Sequence, residues 1–81
     1  MESNELYKSH NIATKIKDLS KEKGIVIKTM LEDLELGSNT MSAMYHGKMI
    51  AADRLAAVAD YLDCSVDFLL GRTENAESHK K

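Results

Sequence analysis

Side chains that could support catalysis or bind a metal are few in this chain and lie far apart. Cys64, the single cysteine, sits in an apolar segment with no histidine nearby to serve as a base. The three histidines, His10, His46 and His79, lack the spacing of metal ligands, and no second cysteine is present for zinc. The four glycines are scattered, so no phosphate-binding loop is indicated. The sequence predicts no enzyme, no cofactor, no metal site and no small-molecule ligand.

Hydrogen-bonding side chains are instead concentrated at residues 38–46. If Met41 and Met44 face inward, the outward side chains would be Ser38, Asn39, Thr40, Ser42, Ala43, Tyr45 and His46. The Asn39 amide could form two hydrogen bonds with an adenine, the hydroxyls could bond bases or phosphates, and the threonine and alanine methyls could meet a thymine methyl. The alternative is that these residues form an ordinary polar surface.

Cationic and aromatic side chains around this segment are candidates for phosphate contacts. Lys48 follows the segment in a loop, and Lys28 lies near the start of the preceding helix, where helix N-termini attract anions. Tyr45 would either bond a phosphate through its hydroxyl or pack its ring against the next helix. His46 would either contact phosphate more strongly as the pH falls or be an incidental surface histidine. Lys15 is a further candidate, or it only improves solubility.

Two short helices joined by a tight turn would position these side chains. Leucines and methionines recur at helical spacing over about 27–34 and about 38–46. Gly37 or Ser38 would cap the second helix, and Gly47 would end it in a left-handed conformation. Two helices joined in this way form a helix-turn-helix, whose second helix can enter a DNA major groove.

Three further helices are predicted around this pair, which gives an all-α bundle of about five short helices. The first would begin near Ser9 or Asn11, either of which could cap it. Asp53 would open a fourth helix with the strongest amphipathic pattern of the chain. Ser65 would cap a fifth helix that ends at Gly71.

Composition indicates a single small domain. The chain has 81 residues, of which 43% are apolar, enough for one core at 9–72 between a flexible segment 1–8 and a disordered polar tail 73–81. No apolar run approaches the ~18 residues that cross a bilayer, and the acidic N-terminus does not resemble a signal peptide. With a single cysteine, these features predict a soluble cytoplasmic protein.

Charge is unevenly distributed along the chain. The net charge of −2 argues against a nucleic-acid partner, but residues 8–28 carry six lysines against two acids. A basic end can present a positive face to phosphates, although it could equally be an unevenly charged solvated surface. No arginine occurs at residues 27–48, and arginine is the commonest partner of guanine, so any DNA site should favour A·T pairs.

Three segments carry a resemblance to a known family. They are I-K-D-L-S-K-E-K-G-I at 16–25, L-E-L-G-S-N-T-M-S-A-M-Y-H-G-K at 34–48 and A-D-R-L-A-A-V-A-D-Y-L-D-C-S-V-D-F-L-L-G-R-T at 52–73. Together, over roughly residues 11–73, they resemble the phage repressor/Cro-type family, also called XRE or lambda-repressor-like. The resemblance implies a lambda-repressor-like bundle with its helix-turn-helix at about 27–46 and its recognition helix at 38–46.

The chain departs from that family at three positions of the motif. Family members typically have Gln at the position of Ile27, Ala at Leu31 and Gly at Glu35. Loss of the Gln removes one DNA contact of the family. Leu31 would be accommodated by the small Ala43 or by a wider helix crossing. Glu35 would need a positive φ, at roughly 1 kcal/mol, unless the turn differs.

The resemblance implies a sequence-specific transcriptional regulator of the repressor or Cro type, from a phage or mobile element, that occupies an operator in double-stranded DNA. Few cationic contacts predict weak binding by one domain, and hence a homodimer on a two-fold operator. Its dimer surface would come from the termini or final helices, with Leu69, Leu70 and Tyr61 partly exposed; alternatively, all three are core.

A rival interpretation is a protein-interaction module on the same fold, such as an antitoxin-like partner. The acidic balance, Ile27 and the arginine-free recognition helix favour it. A continuous positive band of Lys15, Lys28 and Lys48 around the recognition helix would instead favour DNA.

Overall fold

Five helices form the regular structure of residues 7–75, the part of the chain that the computed structural model describes. They are α1 (Ser9–Glu22), α2 (Ile27–Asp33), α3 (Thr40–Tyr45), α4 (Ala52–Tyr61) and α5 (Val66–Leu70). No strand occurs in this range, so the predicted all-α bundle of five short helices is confirmed. Most of the predicted flexible N-terminus and polar tail lies outside the described residues. Within residues 7–75, no helix combines the length and apolar character that a membrane span requires.

Helix α1 begins at Ser9, as predicted, but the predicted cap is wrong. Lys8 occupies the N-cap position and makes no capping hydrogen bond through its side chain, so neither Ser9 nor Asn11 is the cap. Ser9 is instead buried in the first turn, where its Oγ donates a hydrogen bond to the Lys48 carbonyl at 2.6 Å. This bond spans 39 residues and fixes the start of α1 against the loop after α3.

Helix α3 is shorter than predicted. It begins at Thr40 rather than Ser38, because residues 37–39 form a turn in which the Thr40 hydroxyl donates to the Gly37 carbonyl at 2.6 Å. The N-cap is Asn39, which makes no capping bond through its side chain, so the prediction of Gly37 or Ser38 as the cap is wrong. Helix α2 also lacks a side-chain cap, as Val26 at its N-cap position predicts.

The turn between α2 and α3 adopts the strained form that the sequence allows. Glu35 has φ 59°, the left-handed conformation that the resemblance implies at this position. Its N–H donates to the Glu32 carbonyl at 3.1 Å, and the Leu36 N–H donates to the Leu31 carbonyl at 2.8 Å. This pair of bonds closes the end of α2 as a Schellman motif. Asp63, with φ 55°, ends α4 in the same way, although no feature of the sequence predicts a left-handed residue there.

The core lies where α1 packs against α3 and α5, and where α4 packs against α5. Met30 and Met44 are almost fully buried and attach the helix-turn-helix to it. Leu31 is also buried, so the core accommodates it. The remaining buried apolar residues are Ile12, Ala13, Ile16, Leu19, Leu55, Val58, Ala59, Leu62, Cys64 and Leu69.

The final helices agree closely with their pattern. Ser65 caps α5, its Oγ accepting a hydrogen bond from the Phe68 N–H at 3.0 Å, and Gly71 ends the helix with φ 84°. Helix α4 begins at Ala52, one residue before the predicted Asp53. Leu69 is 1% exposed and therefore belongs to the core, not to an exposed dimer surface.

Candidate nucleic-acid interface

One face of α3 and of the turn before it is open to solvent. Ser38, Asn39, Ser42 and His46 are exposed, whereas Met44 is buried. Positions three and four residues apart share a helix face, so the last three of the exposed residues form a single polar stripe. The residue types of this stripe can exchange hydrogen bonds with base edges.

Asn39 is well placed for this chemistry because its amide is not used to cap α3. A Cβ added at Gly37 would lie only 3.3 Å from the Asn39 Oδ1. Glycine at this turn position therefore leaves the space that the amide occupies.

Thr40 and Ala43 are half-buried and line a cleft between α3 and the start of α4. This α3–α4 cleft has a volume of about 330 Å³ and is also lined by Asn39, Lys48 and Arg54. No carboxylate from residues 7–75 lines it. The Thr40 hydroxyl gives its proton to the Gly37 carbonyl, so toward another partner it acts as an acceptor or presents its methyl group.

Arg54 is the cation at this cleft that the sequence did not single out. It lies in the first turn of α4, within the acidic half of the chain, and no spacing rule links it to α3. Packing of α4 nonetheless brings it to the same cleft as Asn39 and Lys48. Arginine is thus absent from residues 27–48 but present at the surface that they form.

Two histidines bond to the last turn of α3. His46 Nδ1 lies 2.8 Å from the Ser42 carbonyl oxygen, and His10 Nδ1, from α1, lies 3.2 Å from the Tyr45 carbonyl oxygen. A carbonyl oxygen only accepts hydrogen bonds, so Nδ1 of each ring carries a proton and Nε2 is left for another partner.

Tyr45 is half-buried beside these histidines. Its ring meets the His10 ring edge-to-face, with centroids 5.5 Å apart, and its hydroxyl is enclosed without a hydrogen-bond partner among the described residues. This geometry favours the packing alternative for Tyr45. A phosphate contact through its hydroxyl stays a prediction that would require the ring to move.

The other two predicted phosphate contacts lie apart from each other. Lys28 is exposed in the first turn of α2, as its predicted role requires. Lys15 directs its ammonium to the Phe68 ring, 4.6 Å from the centroid, and lies beside α5. The structure therefore does not group Lys15 with Asn39 and Lys48, and its phosphate contact stays a prediction.

The structure shows the surroundings of Cys64 and of the histidine and acidic side chains, the residue types that could support catalysis or bind a metal. Cys64 is 2% exposed, and burial is the main cause that raises the pKa of its thiol, with Asp63 adding to the rise and Lys23 opposing it. A thiol held in this way is a poor nucleophile. Within residues 7–75, no three acidic, histidine or cysteine side chains are placed to hold a metal ion.

Comparison with known proteins identifies the family. No curated protein and no solved structure matches the chain. The family model of the Cro/C1-type HTH DNA-binding domain matches residues 4–74, which include all five helices. The protein therefore belongs to the Cro/C1-type helix-turn-helix DNA-binding domain family.

Proposed function

We propose that this protein is a sequence-specific transcriptional regulator that occupies an operator through α3, in the manner of a repressor or Cro protein of a phage or mobile element. The observation that carries the proposal is the α3–α4 cleft, where Asn39 lies with Lys48 and Arg54 and the described part of the chain places no carboxylate. Sequence-specific binding requires side chains that hydrogen-bond to base edges and cations that contact the neighbouring phosphates. The cleft contains both, an amide and two cations.

In this proposal the side chains divide into two sets. Asn39 reads an adenine, and Ser38, Thr40, Ser42 and Ala43 contact neighbouring bases. Lys28, His46, Lys48 and Arg54 contact phosphates and fix the register of α3. Regulation is steric, because the bound protein excludes polymerase, and it takes place in the cytoplasm, where the DNA is.

A homodimer on a two-fold operator is part of the proposal. One domain with this few cationic contacts is expected to bind weakly, and two linked half-sites raise affinity. Leu70 and Tyr61 are half-buried and available for such a surface, whereas Leu69 is not.

The rival proposal of a protein-interaction module is favoured by a separate observation. Val26 is 62% exposed at the start of α2, and Met49 is 49% exposed in the loop after α3. Exposed apolar side chains suit a protein partner better than a phosphate backbone.

Selection from random duplexes at ~50 mM salt, followed by affinity measurements at rising salt, separates the two proposals. The regulator should enrich a motif that contains A·T pairs and lose affinity steeply with salt. The absence of an enriched motif and of salt-sensitive binding would leave the interaction module as the better proposal.

Arg54→Ala tests the cationic part of the interface on the selected duplex. Loss of one phosphate contact should weaken binding to the selected duplex and to duplexes of other sequence about equally. It should also reduce the slope of log affinity against log salt by about 0.9. Arg72→Ala is the matched control, because Arg72 lies beyond α5 with its guanidinium 3.7 Å from the Asp67 carboxylate. Equal effects of the two substitutions would remove Arg54 from the interface.

A further inference from the structure

We propose that the carboxyl end of α3 carries a second phosphate-binding site, formed by Lys8, His10 and His46, which makes DNA affinity rise as the pH falls. The site lies in a cleft of about 500 Å³ between the start of α1 and the end of α3, here called the α1–α3 cleft. The inference rests on the proposed function, because the phosphate it assigns to the cleft belongs to the DNA backbone.

Among residues 7–75, the side chains that line the α1–α3 cleft are cationic or uncharged. Lys8, His10 and His46 are all exposed there, and this part of the chain brings no carboxylate to the lining. Imidazolium groups formed in this cleft would therefore have no acidic partner from the lining and would be available to an external anion.

Hydrogen bonds orient both imidazoles before any ligand arrives. His10 donates from Nδ1 to the Tyr45 carbonyl and His46 donates from Nδ1 to the Ser42 carbonyl, at 3.2 Å and 2.8 Å. In each ring Nε2 remains, and it becomes a donor only when the ring is protonated. A phosphate oxygen would thus gain two donors and two positive charges as the pH falls.

Among residues 7–75, the other titratable side chains that line the cleft are Tyr7, on the α1 side, and Tyr45, on α3, and neither is a carboxylate. Lys48, in the adjoining loop, adds positive charge. The Ser9 hydroxyl is engaged with the Lys48 carbonyl and keeps the two walls together.

Continuity with the first cleft points to DNA as the source of the phosphate. Met49 lines both clefts, so the α1–α3 cleft adjoins the α3–α4 cleft across the loop after α3. The resulting band runs from Lys8 through His46 and Lys48 to Arg54. A DNA backbone that follows α3 can contact both ends of this band.

The test uses the double variant His10→Asn, His46→Asn. An asparagine amide can still donate to each backbone carbonyl, but it does not titrate. On the selected duplex, wild-type affinity should rise about tenfold between pH 8 and pH 5.5, since each exposed ion pair is worth about threefold. The double variant should show less than half of this rise on the logarithmic scale.

Lys8→Ala should lower the salt slope by about 0.9 at both pH values. Lys21→Ala is the matched control, because Lys21 is an exposed lysine in the last turn of α1. This substitution should leave the salt slope unchanged. Identical pH profiles for wild type and double variant would overturn this site while leaving sequence-specific binding intact, whereas failure of the wild type to bind DNA would overturn both proposals.

An NMR titration distinguishes the source of the phosphate. The ring signals of His10 and His46 should shift on addition of the selected duplex at pH 6. Shifts with inorganic phosphate but not with the duplex would assign the cleft to a free anion and overturn the DNA contact.

Discussion

The helix pair that carries the candidate interface and the pair that follows it are stabilised differently. α2, α3 and α4 have seven, six and ten residues and no side-chain cap, whereas the five-residue α5 begins at the capping Ser65. Isolated helices of the length of α2 and α3 are unstable in water. The first pair is therefore held by the buried Met30 and Met44, and the Asn39 side chain makes no capping bond.

The largest effect is expected from truncating that buried attachment. Met44→Ala, at a residue 1% exposed, should lower the free energy of unfolding by about 2–5 kcal/mol in urea denaturation, because it leaves a cavity between α3 and the core. Leu62→Ala, at a residue 0% exposed in the second pair, should cost a similar amount. A loss below about 1 kcal/mol for Met44→Ala would show that α3 does not depend on its buried face.

Two N-cap substitutions sharpen the contrast between the pairs. Ser65→Ala should cost ~1 kcal/mol of stability, because the Phe68 N–H loses its partner, and should leave DNA specificity unchanged. Asn39→Ala should change stability by less than about 0.5 kcal/mol, because no capping bond is lost. It should relax specificity at one base pair. Equal destabilisation by the two substitutions would mean that Asn39 has a structural role.

Glycine substitutions at the two left-handed helix ends should raise the stability of the protein by different amounts. Glu35→Gly should raise stability by about 0.5–1 kcal/mol, since glycine adopts the positive φ without steric cost but loses more chain entropy on folding. Asp63→Gly should raise it less, because aspartate tolerates this conformation better. Thermal unfolding of both variants measures the difference, and destabilisation by Glu35→Gly would contradict the assigned turn.

The smallest effect concerns the bond that joins the two pairs. The Tyr61 hydroxyl donates to the Asp33 carboxylate at 2.6 Å, and this bond is the main cause that raises the pKa of Tyr61. A raised pKa stabilises the fold below the unfolded value of about 10, and this contribution is lost as the pH rises further. Tyr61→Phe should therefore lower Tm slightly at pH 8, and the difference from wild type should vanish in more alkaline solution.

Local patterns predicted the second pair better than the first. Apolar spacing placed Leu55, Val58 and Leu62 in the core, and the sequence around Ser65 and Gly71 marked both ends of α5. These features depend on neighbours in sequence. The predicted start of α3 is two residues too early, because the bond from the Thr40 hydroxyl to the Gly37 carbonyl holds residues 37–39 in a turn.

The candidate site was predicted only as far as it lies on one helix. The stripe from Asn39 to His46 follows from helical periodicity. Tertiary packing brings Arg54 and His10 to α3 from other helices, and no spacing in the sequence predicts such contacts. For the same reason the sequence did not show that Lys15 lies against Phe68 rather than with the other cations.

Chemical-shift mapping with the selected duplex tests most directly whether α3 is the element that reads DNA. The account predicts that amide signals of residues 38–48 and of Arg54 shift most, and that those of α5 shift least. Strong shifts confined to α5 and its surroundings, with α3 unaffected, would contradict it.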